Sequence, residues 1–153
     1  MTIELELQVA STSDAVPGRE AFENWLAAAL RDCDDVGLAI RVVDETEMQA
    51  LNSRYRGQDE PTNVLSFPAD LPEALRGRIE PEPLGDIVIC ASVVATEAKA
   101  QGKPTAHHWA HLTIHGLLHL LGHDHQEKEQ ARAMEALEID CLSRLGIPDP
   151  YGR

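Results

Sequence analysis

The sequence predicts one α+β domain, built by residues 1–153 from four strands and about five helices. Two patterns carry this prediction. Short segments that alternate apolar and polar residues are typical of half-buried strands, and longer segments with apolar residues three or four apart are typical of helices. A chain of this length can bury a core without disulfides. An α/β sandwich with a different strand order is the alternative fold.

Four segments are predicted to be strands. Residues 2–9 and 36–43 alternate apolar with polar side chains, as strands with one buried face do. Residues 62–67 lie between two prolines, which favours a strand at the edge of the sheet. Residues 85–91 are mainly apolar, which predicts a central strand buried on both faces.

Helical spacing predicts the first and last helices. In residues 19–31 the apolar stripe includes Phe22 and Trp25, which are expected to lie in the core. Residues 126–145 form the last helix. Its inward-facing residues are expected to be Ala131, Met134, Leu137, Cys141, Leu142 and Leu145.

Three more helices are expected between these. Asp44 opens a helix that ends near Gly57, with Glu47 three residues on as its capping-box partner. The inner face of this helix is expected to carry Met48, Leu51 and Tyr55. Another helix covers residues 92–101, and the histidine-rich helix follows it. Residues 69–83, rich in proline and acidic residues, are expected to be an irregular excursion that could act as a lid.

All seven histidines lie between residues 107 and 125. His115 and His119 are four apart in an apolar, helix-permissive segment, so their imidazoles share one helix face. Gly122 favours a helix end, after which the chain can turn and bring His125 to the same point. Three imidazoles that leave a fourth position open are typical of a catalytic zinc site.

The other histidines leave alternatives open. His111, His115 and His119 would also share a helix face, so this second triad is conceivable. The histidines expected at the surface or beside the ligands are His107, His108 and His123. Asp124 could orient a ligand or cap the next helix.

The position after the first histidine argues against proteolysis. Metalloproteases of the H-E-x-x-H type place a glutamate base there, and this chain has Gly116. The general base is therefore unassigned. Ser66 lies in no nucleophile motif and is expected to be structural.

Three blocks of sequence resemble one known family. Residues 115–125, HGLLHLLGHDH, resemble the H-G-x-L-H-L-x-G-(Y/H)-D-H signature of the YbeY family, bacterial metallo-endoribonucleases and rRNA maturation factors. Residues 51–68, LNSRYRGQDEPTNVLSFP, and residues 84–90, LGDIVIC, resemble two further blocks of that family in the same order. His123 stands where many members have tyrosine.

The resemblance implies a fold and a function. The fold would be a mixed four-stranded sheet packed with about five helices, including a zincin-like metal helix. The function would be a zinc-dependent, single-strand-specific endoribonuclease in 16S rRNA 3′-end maturation and ribosome quality control. One Zn²⁺ would be held by His115, His119 and His125. The partners would be single-stranded 16S rRNA precursor, the small ribosomal subunit and its assembly proteins.

Arg56 is read differently with and without the resemblance. From its position alone it is a surface arginine favoured by the C-terminal end of a helix dipole. It matches the arginine of the family's Y-R-x-x-D-x-P-T block, which implies a catalytic role. Arginine suits that role because its planar fork matches phosphate oxygens and stays charged.

The formal net charge of −13 at pH 7 disfavours nucleic acid, because affinity comes largely from neutralising phosphates. A local basic cleft could still bind RNA, and its candidate residues are Arg54, Arg56, Arg76, Arg78 and Lys103. Two other functions therefore stay open: a zinc hydrolase with a non-RNA substrate, and a non-catalytic, zinc-stabilised assembly factor of the small subunit. Three imidazoles also suit nickel or iron.

A cytoplasmic protein without a membrane partner is expected. The N-terminal residues lack the basic start and apolar centre of a signal peptide. No apolar run approaches the length of a membrane span. The three cysteines have no motif spacing, which is typical of a reducing compartment.

Overall fold

The computed structural model describes residues 2–30, 35–76 and 78–152. Within these ranges the chain forms four strands, five α-helices and one 3-10 helix, Glu73–Leu75. The strands are β1 (Ile3–Ala10), β2 (Val36–Val43), β3 (Val64–Pro68) and β4 (Glu82–Cys90). The helices are α1 (Arg19–Ala29), α2 (Glu45–Arg56), α3 (Ala91–Gln101), α4 (Thr105–Leu120) and α5 (Lys128–Arg144). Arg31, the expected end of the first helix, and Cys33 lie outside the described residues.

The four strands form one mixed sheet in the order β1-β2-β4-β3. Strands β1, β2 and β4 are parallel, and β3 runs antiparallel to β4. The α+β class and the mixed four-stranded sheet are therefore confirmed. The flanking prolines correctly placed β3 at an edge, and the apolar β4 is central.

Alternate residues of β4 face opposite sides of the sheet, as the two-residue period of a strand requires. Ile87 and Ile89 belong to the main core, which also contains buried residues of α1, α3, α4 and α5. Val88 and Cys90 pack with Met48 of α2 in a second core cluster. The histidine helix α4 and helix α2 therefore cover opposite faces of the sheet.

The aromatic stripe of α1 lies in the main core, as predicted. Phe22 is fully buried and Trp25 is 9% exposed. The ring of Phe22 meets Trp25 edge-on at 5.4 Å and Trp109 of α4 at 6.0 Å. These contacts join α1 to α4, and burial of rings of this size contributes much of the core stability.

The capping box predicted at the start of α2 is wrong. Asp44 occupies the N-cap position but makes no capping hydrogen bond. Its carboxylate instead accepts hydrogen bonds from Ser11 and Thr12, which follow β1. Glu47 forms an ion pair with Arg41 of β2 at 2.6 Å. Partners outside the helix have therefore replaced the local cap.

Three further local predictions are corrected. Tyr55 is 56% exposed, although its ring contacts Phe67 at the sheet edge, and Asn52 is the residue of this helix that is buried instead. Leu137 is 36% exposed, whereas the neighbouring Glu138 is fully buried. Strand β4 begins at Glu82, so the irregular excursion is shorter than expected.

Helix α4 lies close against β3 and β4. The hydroxyl of Ser66 donates a 3.0 Å hydrogen bond to the carbonyl oxygen of Gly116. A Cβ at Gly116 would lie 2.9 Å from Ile87 Cγ2, so glycine permits this approach. The helix ends at Leu120, and Gly122 then adopts a φ of +100°, as the predicted helix end requires. None of the helices in the described ranges is both long and apolar enough to cross a lipid bilayer.

Candidate metal centre

The structure brings together the three histidines that the sequence singled out. His115 and His119 lie one turn apart on α4, and His125 follows the turn at Gly122. One ring nitrogen from each histidine lies within 4.8 Å of the others. The His125 ring lies 5.4 Å from the His115 ring and 4.9 Å from the His119 ring, centroid to centroid.

The spacing of these nitrogens fits a tetrahedral ion. Zinc with Zn–N bonds of about 2.0–2.1 Å at tetrahedral angles requires nitrogens about 3.3–3.4 Å apart. The Nε2 atoms of His115 and His119 are 3.2 Å apart. A hydrogen bond between the rings would satisfy these two nitrogens alone, whereas an ion would engage all three. The donor set and its open fourth position therefore fit a catalytic type of zinc site.

Electrostatics favours neutral imidazole at the centre of the cluster. Burial lowers the pKa of His119, and the neighbouring His115 and His125 rings lower it further. A neutral ring keeps the lone pair that a metal requires. His125 is the most open of the three, with 48% of its side chain exposed, so the cluster faces solvent on that side.

Glu138 of α5 completes the surroundings of His115 and was missed by the sequence analysis. Its Oε1 lies 2.8 Å from His111 Nε2 and 3.0 Å from His115 Nδ1. The hydroxyl of Tyr151 donates to its Oε2 at 2.8 Å. Burial alone would raise the pKa of Glu138, but the hydrogen bonds from His111 and His115 outweigh it and hold the pKa at about 2. Helical periodicity gave no signal for this buried carboxylate.

His111, His115 and Glu138 form a second group of potential ligand atoms. Their separations of 2.8 and 3.0 Å are those of hydrogen bonds, and Glu138 is closed to solvent. Within the described residues, the ring nitrogens of His111, His115 and His119 do not come together as one ligand group, so the alternative triad does not form. Glu138 is also unsuited to be the missing general base, since donors occupy both oxygens and its pKa is low.

His108 is buried, which corrects the expectation that it lies at the surface or beside the ligands. It is 3% exposed, and its Nε2 lies 2.8 Å from Glu97 of α3. Asn63, directly before β3, donates to the same carboxylate at 3.0 Å. The network ties α3 and α4 to the edge strand, and burial lowers the pKa of His108. His123 is exposed, as expected.

Asp124 lies beside His125 and does not cap α5. Its Oδ1 accepts the backbone N–H of His125 at 2.7 Å and lies 3.6 Å from the ring Nδ1. The N-cap of α5 is Glu127, which forms a capping box with Gln130. Of the two roles considered for Asp124, the structure therefore supports an influence on His125.

The structure places Arg56 at the exposed C-terminal end of α2. Within the described residues no hydrogen bond or ion pair engages its guanidinium, and none joins it to the three histidines. Arg54 differs, because its guanidinium lies 5.4 Å from the centroid of the Tyr55 ring. Arg56 therefore remains available to a ligand, and its catalytic role stays a prediction.

The fold and the histidine cluster together define an α+β protein with a candidate metal centre. Comparison with known proteins is more specific. The family model described as Endoribonuclease YbeY matches residues 8–146. An Endoribonuclease YbeY from Stenotrophomonas maltophilia is 51% identical over 150 residues, covering 97% of this chain and 93% of the relative. Another, from Alkalilimnicola ehrlichii, is 53% identical over 154 residues, covering 97% and 91%.

The chain belongs to the YbeY family and is an endoribonuclease, a hydrolase that acts on RNA. This confirms the resemblance and the enzyme class, and it favours neither the non-catalytic factor nor the hydrolase with a non-RNA substrate. The solution structure of TM1509 from Thermotoga maritima superposes with a TM-score of 0.57 at 25% identity, covering 92% of this chain and 91% of that one. That match agrees with the α+β fold.

Proposed function

We propose that this chain is a zinc-dependent, single-strand-specific endoribonuclease that acts in 16S rRNA 3′-end maturation and ribosome quality control. The whole chain, residues 1–153, would form one catalytic domain that works in the cytoplasm. The convergence of His115, His119 and His125 in a member of an endoribonuclease family is the observation that carries this proposal.

The three histidines would hold one Zn²⁺ through their ring nitrogens. When bound, the ion supplies Lewis acidity to a phosphoryl oxygen and to water. His115 is oriented for this role because Glu138 engages its Nδ1 and leaves Nε2 facing His119. His119 is kept neutral by burial, so it can donate its lone pair near neutral pH.

Arg56 would stabilise the negative charge that develops on phosphorus. Its guanidinium offers donors in a planar fork that matches two phosphate oxygens. The side chain is exposed, and the acidic chain around it provides no ion pair within the described residues. The group is therefore free to meet a phosphate without first breaking an ion pair.

The charge of the chain bears on how the substrate arrives. A net charge of −13 repels the RNA backbone, so intrinsic affinity for naked RNA should be low. We therefore propose that the small ribosomal subunit and its assembly proteins deliver the 16S precursor to the site. Contacts with the subunit would compensate for the low affinity that the negative charge of the chain causes.

The test is cleavage of a single-stranded RNA that spans the 16S 3′ end. Wild type, His119→Ala and His123→Ala would be purified identically, since contaminating ribonuclease is the main hazard. His123 is the matched control because it is exposed and lies outside the cluster. We expect cleavage by wild type and His123→Ala, and none by His119→Ala. Equal cleavage by all three proteins would refute the proposal.

Metal identity needs a separate measurement. After chelation, activity should be lost and should return when one equivalent of Zn²⁺ is added. Three imidazoles also accept Ni²⁺ and Fe²⁺, so both ions are added in parallel. Full restoration by another ion, with none by zinc, would refute zinc dependence. A base-paired version of the same RNA, cleaved at an equal rate, would refute single-strand specificity.

A further inference from the structure

Glu138 is a fully buried carboxylate that contributes no ligand to the cluster of His115, His119 and His125. A buried charge is costly unless hydrogen bonds compensate it. Three donors do so here: two imidazoles at Oε1 and the Tyr151 hydroxyl at Oε2. The arrangement places a fixed acceptor directly behind one candidate ligand.

The contact determines where His115 carries its proton. An ionised carboxylate only accepts hydrogen bonds, so the nitrogen that it engages must be protonated. That nitrogen is Nδ1, which lies 3.0 Å from Oε1. The lone pair of the neutral ring is then on Nε2, the atom that lies 3.2 Å from His119 Nε2. Without this acceptor the other tautomer becomes accessible, and its protonated Nε2 cannot bind an ion.

Tyr151 holds the carboxylate in place. Its hydroxyl lies 2.8 Å from Oε2 and 3.0 Å from Oε1 of Glu138, and its ring meets the His111 ring edge-on at 5.4 Å. Its backbone N–H donates to Asp149 at 2.8 Å, which fixes the turn after α5. Loss of the hydroxyl would leave one oxygen of a buried carboxylate without this donor and free Glu138 to rotate.

We propose that Glu138 and Tyr151 are positioning residues of the metal centre, which together hold His115 in the tautomer that presents Nε2 to the ion. The inference rests on the proposed function, because it takes the three histidines as the metal ligands. It assigns His111 to the same support, as a donor to Glu138 and not as a ligand. One ion per chain follows from this assignment.

The test compares Glu138→Gln and Tyr151→Phe with two matched controls. Glu129→Gln changes an exposed acid in the first turn of α5, and Tyr55→Phe changes an exposed tyrosine. Zinc affinity is measured by competition with a chromophoric chelator, and Co²⁺ absorption reports the coordination geometry. Nitrogen NMR of the metal-free proteins reports the tautomer of His115.

We expect Glu138→Gln to bind zinc about 10–100-fold more weakly, the range typical for loss of a hydrogen-bond partner behind a ligand. Tyr151→Phe should weaken binding several-fold, and both should alter the Co²⁺ spectrum, whereas the controls match wild type. A purely structural role would lower stability without changing that spectrum. Wild-type affinity and spectrum in both variants, or two ions per wild-type chain, would overturn the proposal.

The NMR measurement separates failure of this inference from failure of the proposed function. If wild type binds no zinc, the proposed metal centre is refuted. The positioning inference is tested independently of zinc binding. It requires that His115 carries its proton on Nδ1 in the metal-free wild type and loses that preference in Glu138→Gln. An Nε2-protonated His115 in wild type would refute the positioning role. If Glu138→Gln fails to fold, Tyr151→Phe decides by the same measurements.

Discussion

Replacing Gly116 with alanine tests how closely α4 must pack against the sheet. A Cβ at this position would lie 2.9 Å from Ile87 Cγ2 and 3.2 Å from Ser66 Oγ. Carbon atoms pack best at about 3.5–4.0 Å, so the contact with Ile87 Cγ2 is too short, and the contact with Ser66 Oγ is tight. Ile87 is fully buried and β-branched, which prevents its methyl group from rotating away.

Two opposing effects set the size of the change. Alanine favours a helix over glycine by about 1 kcal/mol. An extra methyl in a packed core costs about 1–3 kcal/mol. The net expectation is a loss of about 0–2 kcal/mol in the free energy of unfolding. For a chain of this size, a loss of about 1 kcal/mol lowers the melting temperature by about 2–4 °C.

Urea and thermal unfolding of the metal-free protein measure this loss. Gly18→Ala is the control, because a Cβ there meets no atom within 4 Å and the φ of −79° suits any residue. The control should lie within about 1 kcal/mol of wild type, since it exchanges only a preferred N-cap residue. If Gly116→Ala gained the full helix-propensity term of about 1 kcal/mol, the packing argument would be refuted.

Three further predictions concern residues around the site. Arg56→Ala should lower turnover on single-stranded RNA by about 100-fold with zinc affinity unchanged. The control Arg54→Ala should stay within about two-fold of wild type. If Arg56→Ala turned over RNA as fast as wild type, Arg56 would be excluded from catalysis. Ser66→Ala removes the bond to Gly116 and should cost about 1 kcal/mol in urea unfolding, with turnover retained; lost turnover would make Ser66 catalytic. Because burial lowers the pKa of His108, the unfolded chain binds the proton more readily, and stability should fall as the pH drops below 6.5. His108→Gln should flatten that slope in urea titrations, and an unchanged slope would contradict the assignment.

The three candidate ligands could be predicted because local geometry brings them together. The helical period places His115 and His119 on one face, and Gly122 ends the helix so that His125 can return. Close packing of α4 accounts for Gly116 at the position where metalloproteases have a glutamate. Position 116 faces Ile87 beneath the sheet, so a larger side chain there would meet the core.

Glu138 could not be predicted, because tertiary packing brings it to His115 across 23 residues of sequence. The apolar pattern of α5 placed Leu137 inward, whereas the helix turns Glu138 to the core. A buried carboxylate contradicts hydrophobic patterning and is tolerated only where donors converge on it. Those donors come from α4 and from the turn after α5.

The start of α2 and the strand order of the sheet also depend on contacts that a local sequence pattern does not reveal. The spacing of Asp44 and Glu47 satisfies the capping-box pattern, but Ser11, Thr12 and Arg41 provide partners that no local pattern contains. The mixed character of the sheet came from the family resemblance, since alternation identifies strands but does not order them. Pattern therefore predicted the elements, and long-range contacts decided their details.

The hydrogen bond between Glu138 and His115 joins two segments of the candidate metal centre that are synthesised at different times. A chain emerges from the ribosome N-terminus first, so residues 115–125 appear before α5 does. During that interval all three candidate ligands exist, but His115 has no acceptor behind its Nδ1. A nascent chain that ends before residue 138 would thus carry the candidate ligands without the acceptor that fixes the tautomer of His115. Under the proposed function, full zinc affinity should therefore arise only once α5 has been synthesised and has docked against α4.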